Sequence, residues 1–306
     1  MPMTDRQRCE LTQLASRNNI GCMLDKPLAP LTTWSIGGPA DVLLQPQSPD
    51  AIAAVVKWCG AEGVPWRVLG GGSNVLIPDE GVPGVVFHLP LGLGQVDWEV
   101  GRNEVWVAAG YLMPRLARQT AERGLRGLEC VVGVPGTIGG GIVTNAGVPD
   151  GTLADVLVEV EALYPDGQRR TWPVAELGLG HRTSRFRAEQ AVILGARLRL
   201  EPDDPDAVRA RMTEHLVYRR ATQPLNQHTA GSVFRRPAEG FPGQLLEAAG
   251  CKGLRHGDAV VSERHANWIE NHGAATAADV LALIDEMRAR VLAHSGVELE
   301  LEVLVW

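Results

Sequence analysis

The segment from Gly127 to Gly147 carries the residue types best suited to chemistry with an anionic ligand. It reads GLECVVGVPGTIGGGIVTNAG and holds seven glycines, one proline and almost no charge. Glycine inside a regular element costs roughly 0.5–1 kcal/mol relative to alanine, so this density is tolerated where the chain needs positive φ or a close approach to its backbone. Main-chain N–H groups that no side chain covers suit an anion, above all a diphosphate. The segment therefore predicts a bound nucleotide-like group.

A second glycine loop, Gly70-Gly71-Gly72-Ser73-Asn74, directly follows a predicted strand. Neither loop has the GxxxxGKS/T pattern of a P-loop or the GxGxxG pattern of a dinucleotide-binding turn. Two such loops favour a ligand, and the side chains of Ser73, Asn74, Thr137 and Asn145 would add donors beside the backbone. The alternative of two tight turns without a ligand stays open at this point.

The apolar pattern and the turn residues predict the elements that would position these loops. A helix opens at Pro49 and Asp50 and ends at Gly63, and Thr276 can cap a long amphipathic helix. The other predicted elements are strands at 66–69, 85–89, 104–108 and 192–200, helices at 113–123, 206–219 and 242–249, and a hairpin at 155–172 that turns at Asp166-Gly167.

Alternation of apolar and acidic residues predicts that the chain finishes on a strand over 297–306. Glu298, Glu300 and Glu302 would then share one face of that strand, since side chains alternate along it.

The composition is that of a globular protein and excludes some functional classes. Lysine and arginine number 29 against 36 aspartates and glutamates, and the net charge of −7 argues against general nucleic-acid binding. No apolar run approaches the roughly 20 residues that span a bilayer, and the N-terminus lacks the apolar core of a signal peptide. The five cysteines are scattered without metal-binding spacing. We therefore expect reduced thiols in a cytoplasmic protein with no metal site.

Further motifs follow in order along nearly the whole chain. They are TTWSIGGPAD at 32–41, VLGGGSNVLI at 68–77, the glycine-rich segment, HRTSRF at 181–186, AGSVFRRP at 230–237, GQLLEAAGCKG and GDAVVSERHANWIEN between 243 and 271, and ELEV at 300–303. In order and spacing they resemble the motifs of the UDP-N-acetylenolpyruvoylglucosamine reductase (UDP-N-acetylmuramate dehydrogenase) family. No tyrosine-bearing insertion follows Leu200, so the chain looks like the family branch without that loop.

The resemblance implies an α+β protein. A split FAD-binding domain of the vanillyl-alcohol-oxidase (PCMH) type would occupy residues 1–90 and 91–205, and a substrate-binding α+β domain would occupy 206–306. The implied cofactors are FAD and NADPH, and the implied reaction reduces UDP-N-acetylglucosamine enolpyruvate to UDP-N-acetylmuramate in peptidoglycan precursor synthesis. Hydride would pass from NADPH to flavin N5 and then to C3 of the enolpyruvyl group, after which C2 takes a proton. NADPH and substrate would share one site in a protein that we expect to be a monomer.

Three residues fall on the catalytic positions of the family. Arg182 would hold the substrate carboxylate and stabilise the enolate-like intermediate. Ser232 would give a proton to C2, and Glu302 would support the enolate electrostatically or as a proton donor. From the residues alone, a surface arginine, a turn serine and an acid on a solvated face explain them equally well.

The resemblance also assigns binding residues. FAD would contact Ile36, Gly37, Gly70, Gly71, Gly72, Ser73, Asn74, Val75, Gly133, Pro135, Gly136, Thr137, Gly139, Gly140, Asn145 and Gly147. The substrate would contact His181, Arg182, Gln223, Arg236 and Lys252. The candidate cations for the substrate phosphates are Arg219, Arg220, Arg235, Arg236, Lys252 and Arg255, of which we expect two to bind.

The chain departs from the family pattern at a few positions. His181 stands where the family has tyrosine, and its ring still offers a stacking surface and a hydrogen-bonding group. Arg236 replaces an asparagine, and Val148-Pro149-Asp150 replaces an Ala-Tyr-Gly step beside the flavin. The alternatives are another flavin-dependent oxidase or dehydrogenase on the same fold, or a flavin- or UDP-sugar-binding protein without turnover.

Overall fold

The computed structural model describes residues 2–89, 95–101, 103–148 and 150–306. The chain forms two compact units. Unit 1 comprises Met1–Lys26, Asp41–Gly71 and Pro83–Val217, and unit 2 comprises Pro27–Ala40, Gly72–Val82 and Tyr218–Trp306. Two segments from the N-terminal part of the sequence therefore belong with the C-terminal part. The division at residues 90 and 205 stays a prediction, and its first boundary meets residues 90–94, which lie outside the described ranges.

Helices and strands are mixed in both units, as expected of an α+β protein. The helices are α1 (Asp5–Arg17), α2 (Pro49–Glu62), α3 (Met113–Glu122), α4 (Ile138–Val143), α5 (Pro205–Thr222), α6 (Pro242–Ala248) and α7 (Ala277–Ser295). The strands are β1 (Gly21–Pro27), β2 (Pro39–Gln45), β3 (Trp66–Leu69), β4 (Val75–Leu76), β5 (Val82–His88), β6 (Val96–Gly101), β7 (Glu104–Ala108), β8 (Leu125–Arg126), β9 (Gly147–Val148), β10 (Gly151–Thr152), β11 (Leu157–Leu163), β12 (Arg169–Pro173), β13 (Val192–Arg199), β14 (Glu201–Pro202), β15 (Arg255–His256), β16 (Ala259–Val261), β17 (Ile269–Asn271) and β18 (Leu304–Val305). Among the described residues, no helix is both long and apolar enough to cross a bilayer.

The first sheet of unit 1 has the strand order β1-β2-β5-β3, with β3 parallel to β5. Helix α2 buries Ile52, Val55 and Val56 in the core beneath it. The Ser48 hydroxyl accepts the N–H of Ala51 at the start of α2, and a left-handed glycine follows its last turn. Each fully buried apolar side chain contributes roughly 1.5–3 kcal/mol, so this face anchors the strand that leads into the first glycine loop.

The second sheet of unit 1 is antiparallel, in the order β12-β11-β13-β7-β6. The predicted hairpin forms β11 and β12, and Gly167 has φ of 79° in its turn. Helices α3 and α4 contribute Leu116 and Ile142 to the core of this sheet. This core carries the second glycine loop.

The long helix α7 organises unit 2. Thr276 and Asp279 form a capping box at its start, and both carboxylate oxygens of Asp79 accept the N–H groups of Ala277 and Ala278. Gly296 ends the helix with φ of 72°. The apolar face of α7 packs in one core with the three-stranded sheet β15-β16-β17.

The predicted final strand is wrong for most of its length. Only β18 pairs in a ladder, parallel to β4, and Leu301 makes a single bridge to Phe234. Residues 297–300 keep the alternation of buried and exposed side chains but make no ladder. Alternation reports which side chains are buried, whereas a strand also needs a partner along its whole backbone. Strand β5 begins three residues before the predicted start at Val85.

Candidate active site

The two glycine loops meet backbone to backbone in unit 1. A Cβ added to Gly71 would lie 2.8 Å from the Cα of Gly136, and one added to Gly70 would lie 2.7 Å from Oγ1 of Thr137. Real Cβ atoms do not approach so closely, so both positions need glycine. Gly140 is exposed at the edge of the second loop, and a Cβ added there would meet Oγ1 of Thr137 at 3.6 Å, an ordinary van der Waals contact. A bare backbone surface of this kind fits the diphosphate of FAD.

Part of the glycine-rich segment is helix α4, where the sequence predicted a loop. Thr137 caps this helix by accepting the N–H of Gly140 at 3.3 Å. A Cβ on Gly141 would lie 2.6 Å from Sδ of Met113, and one on Gly139 would lie 3.0 Å from Cβ of Ala109. These two glycines are buried, so close packing of α4 explains them without a ligand. The contact of Gly139 with FAD stays a prediction.

Asn145 joins the glycine-rich segment to two neighbouring loops. Its Nδ2 donates to the carbonyl of Gly180 at 3.1 Å, and its Oδ1 accepts the N–H of Ala154 at 3.2 Å. Its φ is 43°, a left-handed value that asparagine tolerates better than most residues. The side chain predicted to bind FAD therefore also has a structural role in unit 1. At the predicted flavin edge after Val148, Pro149 lies outside the described residues.

Arg182 lies in unit 1 at a tight turn between Gly180 and Thr183, which exchange backbone hydrogen bonds of 3.2 and 3.4 Å. Its φ of 54° is left-handed, and its carbonyl accepts a 2.9 Å hydrogen bond from Nη1 of Arg187. His181 is exposed beside it. A non-glycine residue in this conformation marks a strained position of the kind that often has a function.

In unit 2, the segment around residues 32–37 contacts Gly72, where the N–H of Thr33 donates to its carbonyl at 3.0 Å. The Thr32 hydroxyl donates to the carbonyls of Ala29 and Ile36, and it accepts the N–H of Ile36 at 3.2 Å. The indole of Trp34 donates to Ile269 at 2.8 Å, and Asn271 donates to the carbonyl of Trp34 at 2.9 Å. These bonds fix the segment that holds the predicted FAD contacts Ile36 and Gly37.

Unit 2 brings Ser232 and Glu302 together. The N–H of Glu302 donates to the carbonyl of Val233 at 2.8 Å, one residue from Ser232. On the other side, the buried amide of Asn267 accepts the N–H of Phe234 at 3.0 Å and donates to its carbonyl at 2.9 Å. Within the described part of the chain, no group hydrogen-bonds to the half-buried hydroxyl of Ser232. The serine therefore stands on a fixed backbone with its hydroxyl available.

The first glycine loop reaches the same segment. Nδ2 of Asn74 donates to the carbonyl of Glu302 at 3.4 Å, and its own carbonyl accepts the N–H of Leu304 at 3.1 Å. Together with the pairing of β4 and β18, these bonds hold the chain around Glu302 to the residues that follow the glycines.

The predicted substrate contacts in unit 2 differ in the partners that they already have within the protein. The Oε1 of Gln223 is buried without a hydrogen-bond donor in the described residues, which suits an incoming ligand. Nζ of Lys252 lies 2.7 Å from Glu247, and the guanidinium of Arg236 stacks 4.0 Å from the ring centroid of Phe241. Of the phosphate candidates, Arg235 approaches Glu300 at 3.9 Å. Arg219 is buried at 8% exposure.

Sequence reasoning missed the residues that support the site. Asn267 and Asn271 lie within the HANWIEN motif, which was singled out without a role for either. Arg187 and Arg264 looked like ordinary surface cations, although Nη1 of Arg264 donates to the carbonyl of Arg220 at the end of α5 at 3.0 Å. For Asn267, its position between the apolar residues Ala266 and Trp268 was a signal of a buried amide, whereas Asn271 lies between charged or polar neighbours and gave none.

Burial shifts the pKa of several titratable groups. Burial lowers the pKa of His265, whose Nδ1 accepts the N–H of Asn267 at 3.2 Å. Burial raises the pKa of Cys59 to about 12 and that of Cys130 to about 11. Both thiols are neutral at physiological pH, which makes them poor nucleophiles.

Two family models match the chain. The UDP-N-acetylenolpyruvoylglucosamine reductase C-terminal domain matches residues 223–306, and an FAD binding domain matches residues 40–172. Together they show that the chain carries an FAD-binding domain and a reductase C-terminal domain, whereas the bounds expected from the sequence stay a prediction.

Known proteins resemble the chain over most of its length. It is 41% identical over 281 residues to UDP-N-acetylenolpyruvoylglucosamine reductase 2 of Symbiobacterium thermophilum. This alignment covers 92% of this chain and 91% of that protein. Its fold matches the crystal structure of the UDP-N-acetylenolpyruvylglucosamine reductase from Thermus caldophilus with a TM-score of 0.80 and 36% identity, over 94% of this chain and 98% of that one. A berberine bridge enzyme variant is 15% identical, with a TM-score of 0.50, over 63% of this chain and 43% of the other chain. This similarity shows a shared fold alone. The predicted fold class, resemblance and FAD cofactor are confirmed, and the chain belongs to the UDP-N-acetylenolpyruvoylglucosamine reductase family.

Proposed function

We propose that this chain catalyses the NADPH-driven, FAD-dependent reduction of UDP-N-acetylglucosamine enolpyruvate to UDP-N-acetylmuramate. Family membership supports the reaction. The observation that carries the assignment is the fixed backbone beside Ser232: the next residue, Val233, accepts the N–H of Glu302, and no group in the described residues hydrogen-bonds to the serine hydroxyl. A binding protein without turnover has no need of a serine hydroxyl kept available on a fixed backbone.

FAD is the group that these residues fit. Gly70, Gly71, Gly136 and Gly140 carry no side chains of their own, so their backbone N–H groups suit a diphosphate. When bound, the flavin supplies the hydride chemistry, accepting hydride from NADPH at N5 and passing it to C3 of the enolpyruvyl group. The protein must place the substrate, stabilise the charge that develops and protonate C2.

Arg182 binds the substrate carboxylate in this proposal. Hydride addition at C3 drives negative charge onto C2 and the carboxylate, and a guanidinium is a permanent cation whose planar donors match a carboxylate. The strained turn presents this cation from a backbone that cannot rotate freely. A charge fixed before the reaction stabilises the transition state without reorganisation.

Ser232 donates the proton to C2. Serine is a weak acid, but a C2 carbanion is a strong base, so a positioned hydroxyl suffices. Its backbone is fixed on one side by Asn267 and on the other by the chain at Glu302. Glu302 acts from the adjacent segment, where it orients or recharges the hydroxyl and supports the enolate.

The nucleotide part of the substrate has its own contacts in the proposal. The orphaned Oε1 of Gln223 accepts a hydrogen bond from the nucleotide sugar. Arg236 and Lys252 bind phosphate, and Lys252 exchanges its partner Glu247 for the ligand. His181 lies beside Arg182 and lines the enolpyruvyl end. NADPH uses the same site before the substrate, in a monomer that acts in the cytoplasm.

One assay on the purified protein tests this function. The visible absorbance of oxidised flavin reports the cofactor, and NADPH oxidation is followed with and without UDP-N-acetylglucosamine enolpyruvate. We expect a yellow protein whose NADPH oxidation depends on that substrate and forms UDP-N-acetylmuramate. A colourless protein, or NADPH oxidation that ignores the substrate, contradicts the proposal; the second result would favour another flavin-dependent dehydrogenase.

A further inference from the structure

The turn around Arg182 has a backbone conformation that arginine rarely adopts. Gly180 and Thr183 close the turn, and positive φ at its third residue is typical of type II turns, where glycine or asparagine usually stands. The left-handed conformation costs an L-residue about 1–2 kcal/mol, so neighbouring groups must hold Arg182 in it.

Arg187 contacts the strained peptide directly. Its Nη1 donates a 2.9 Å hydrogen bond to the carbonyl oxygen of Arg182. The donor is charged, and a hydrogen bond of this kind is about twice as strong as a neutral one. Because the ψ angle of Arg182 sets the direction of this carbonyl, the bond selects one rotation of the peptide at the centre of the turn.

Other bonds hold the ends of the turn. Nδ2 of Asn145 donates to the carbonyl of Gly180 at 3.1 Å, and the hydroxyl of Ser184 donates to the carbonyl of Val143 at 2.9 Å. They tie the turn to the end of α4. They do not fix the peptide of Arg182 itself, which Arg187 reaches.

Arg185 offers a matched comparison within the same short 3-10 helix, Arg185–Arg187. Its guanidinium lies 2.8 Å from Glu189, donates to the carbonyl of Glu176 at 3.0 Å and stacks 3.4 Å from the ring centroid of Trp172. These contacts anchor the segment to β12. Two neighbouring arginines thus have separate roles, one toward β12 and one toward Arg182.

We propose that Arg187 is a positioning residue for the reaction and acts through Arg182. The inference rests on the proposed function, in which the Arg182 guanidinium holds the substrate carboxylate. Without the Arg187 bond, the peptide relaxes toward ordinary φ and ψ values. The Cα–Cβ bond of Arg182 then points in a different direction, which moves the guanidinium. A misplacement of about 1 Å can reduce a rate by about 100-fold.

Single-turnover kinetics on holoenzyme variants test the proposal. Arg187→Met should slow flavin reoxidation by the enolpyruvyl substrate about 10- to 100-fold, with flavin content and flavin reduction by NADPH unchanged. Arg187→Lys keeps a charged donor and should recover part of the rate. Arg185→Met is the control, with a lower unfolding midpoint but both half-reactions near wild type.

A double variant shows whether Arg187 acts through Arg182. In an Arg182→Met background, Arg187→Met should cause no further slowing, because coupled residues are not additive. Equal slowing in both backgrounds, or equal slowing of both half-reactions, overturns the proposal.

A crystal structure of Arg187→Met gives a readout independent of activity. The proposal expects φ of Arg182 to leave the positive region, and retention of positive φ overturns it. A wild-type holoenzyme that fails to reduce the enolpyruvyl substrate refutes the proposed function instead, and the crystal structure still decides whether Arg187 holds the turn.

Discussion

The turn around Arg182 and the segment around Ser232 hold their side chains by different means. Arg182 stands on a strained left-handed peptide that the charged side chain of Arg187 holds. Ser232 precedes a backbone whose N–H and carbonyl groups are satisfied by Asn267. Arg182 is thus fixed at a cost in backbone energy, whereas the backbone that follows Ser232 is fixed by satisfied hydrogen bonds. Because the backbone is strained at Arg182 and not at Ser232, glycine and alanine substitutions should have opposite orders of stability at the two positions.

The largest expected effect is on the rate when the cation is removed. Arg182→Met should slow the oxidative half-reaction about 10²- to 10³-fold, the usual cost of losing one group that stabilises a developing anion. Flavin reduction by NADPH should continue, because the charge on the carboxylate develops only after hydride reaches C3. Stopped-flow absorbance of the flavin separates the two steps. Loss of both steps together would show that Arg182 supports the fold or the flavin rather than the substrate.

The next largest effect is on stability in the serine segment. Asn267→Leu leaves the N–H and carbonyl of Phe234 buried without partners, at about 1–3 kcal/mol for each group. Urea unfolding measures the loss, and the oxidative half-reaction should slow with it. Asn271→Leu is the matched control, since this buried asparagine holds Trp34 instead. It should lose similar stability, with a rate per bound flavin near wild type. Equal rate losses in both variants would remove the special role of Asn267.

A smaller effect distinguishes the backbones of the two residues. At Arg182, the glycine variant should be more stable than the alanine variant by about 1 kcal/mol, because glycine adopts positive φ without strain. At Ser232, which lacks positive φ, alanine should be the more stable, by about 0.5–1 kcal/mol. Thermal unfolding of the four variants measures both differences. The same order of stability for glycine and alanine at both positions would contradict the contrast between a strained backbone at Arg182 and an unstrained one at Ser232.

The smallest effect concerns the cap of α7. Thr276→Ala should cost about 1 kcal/mol by removing the cap of the helix. Hydrogen bonds from the backbone and hydroxyl of Thr276 hold the pKa of Asp279 below its usual range. A depressed pKa contributes stability above the unfolded value near 3.9. That contribution is lost as pH falls through the folded pKa.

Acid unfolding tests this directly. Between about pH 6 and pH 3, wild type should lose more unfolding free energy than Asp279→Asn, which has no carboxylate to protonate. Parallel curves for the two proteins would show that the capping box has no electrostatic part.

The sequence predicted the elements with strong local signals. Helix α2, strand β3 and helix α7 lie where Pro49, the loop glycines and Thr276 indicated, because caps and turns act over a few residues. The final strand was wrong because a ladder needs a distant partner, which alternation does not encode. Helix α4 was missed because its glycines are required by close packing against Met113 and Ala109.

The sequence predicted the candidate site residues that lie on family motifs, but it did not predict the residues that hold their backbone in place. Arg182, Ser232 and Glu302 followed from motif resemblance, and their roles stay predictions. Arg187 and Asn267 act on backbone groups of other segments, and such contacts appear only once the chain is folded. Likewise, the sequence placed residues 27–40 and 72–82 in the N-terminal part, whereas long-range contacts place them in unit 2.

The central claim is that Ser232 donates the proton to C2 after hydride has left the flavin. Ser232→Ala holoenzyme, reduced with NADPH and then mixed with UDP-N-acetylglucosamine enolpyruvate, tests it in one experiment. The account predicts flavin reduction at the wild-type rate and almost no UDP-N-acetylmuramate in the second step. Formation of product at the wild-type rate would contradict it.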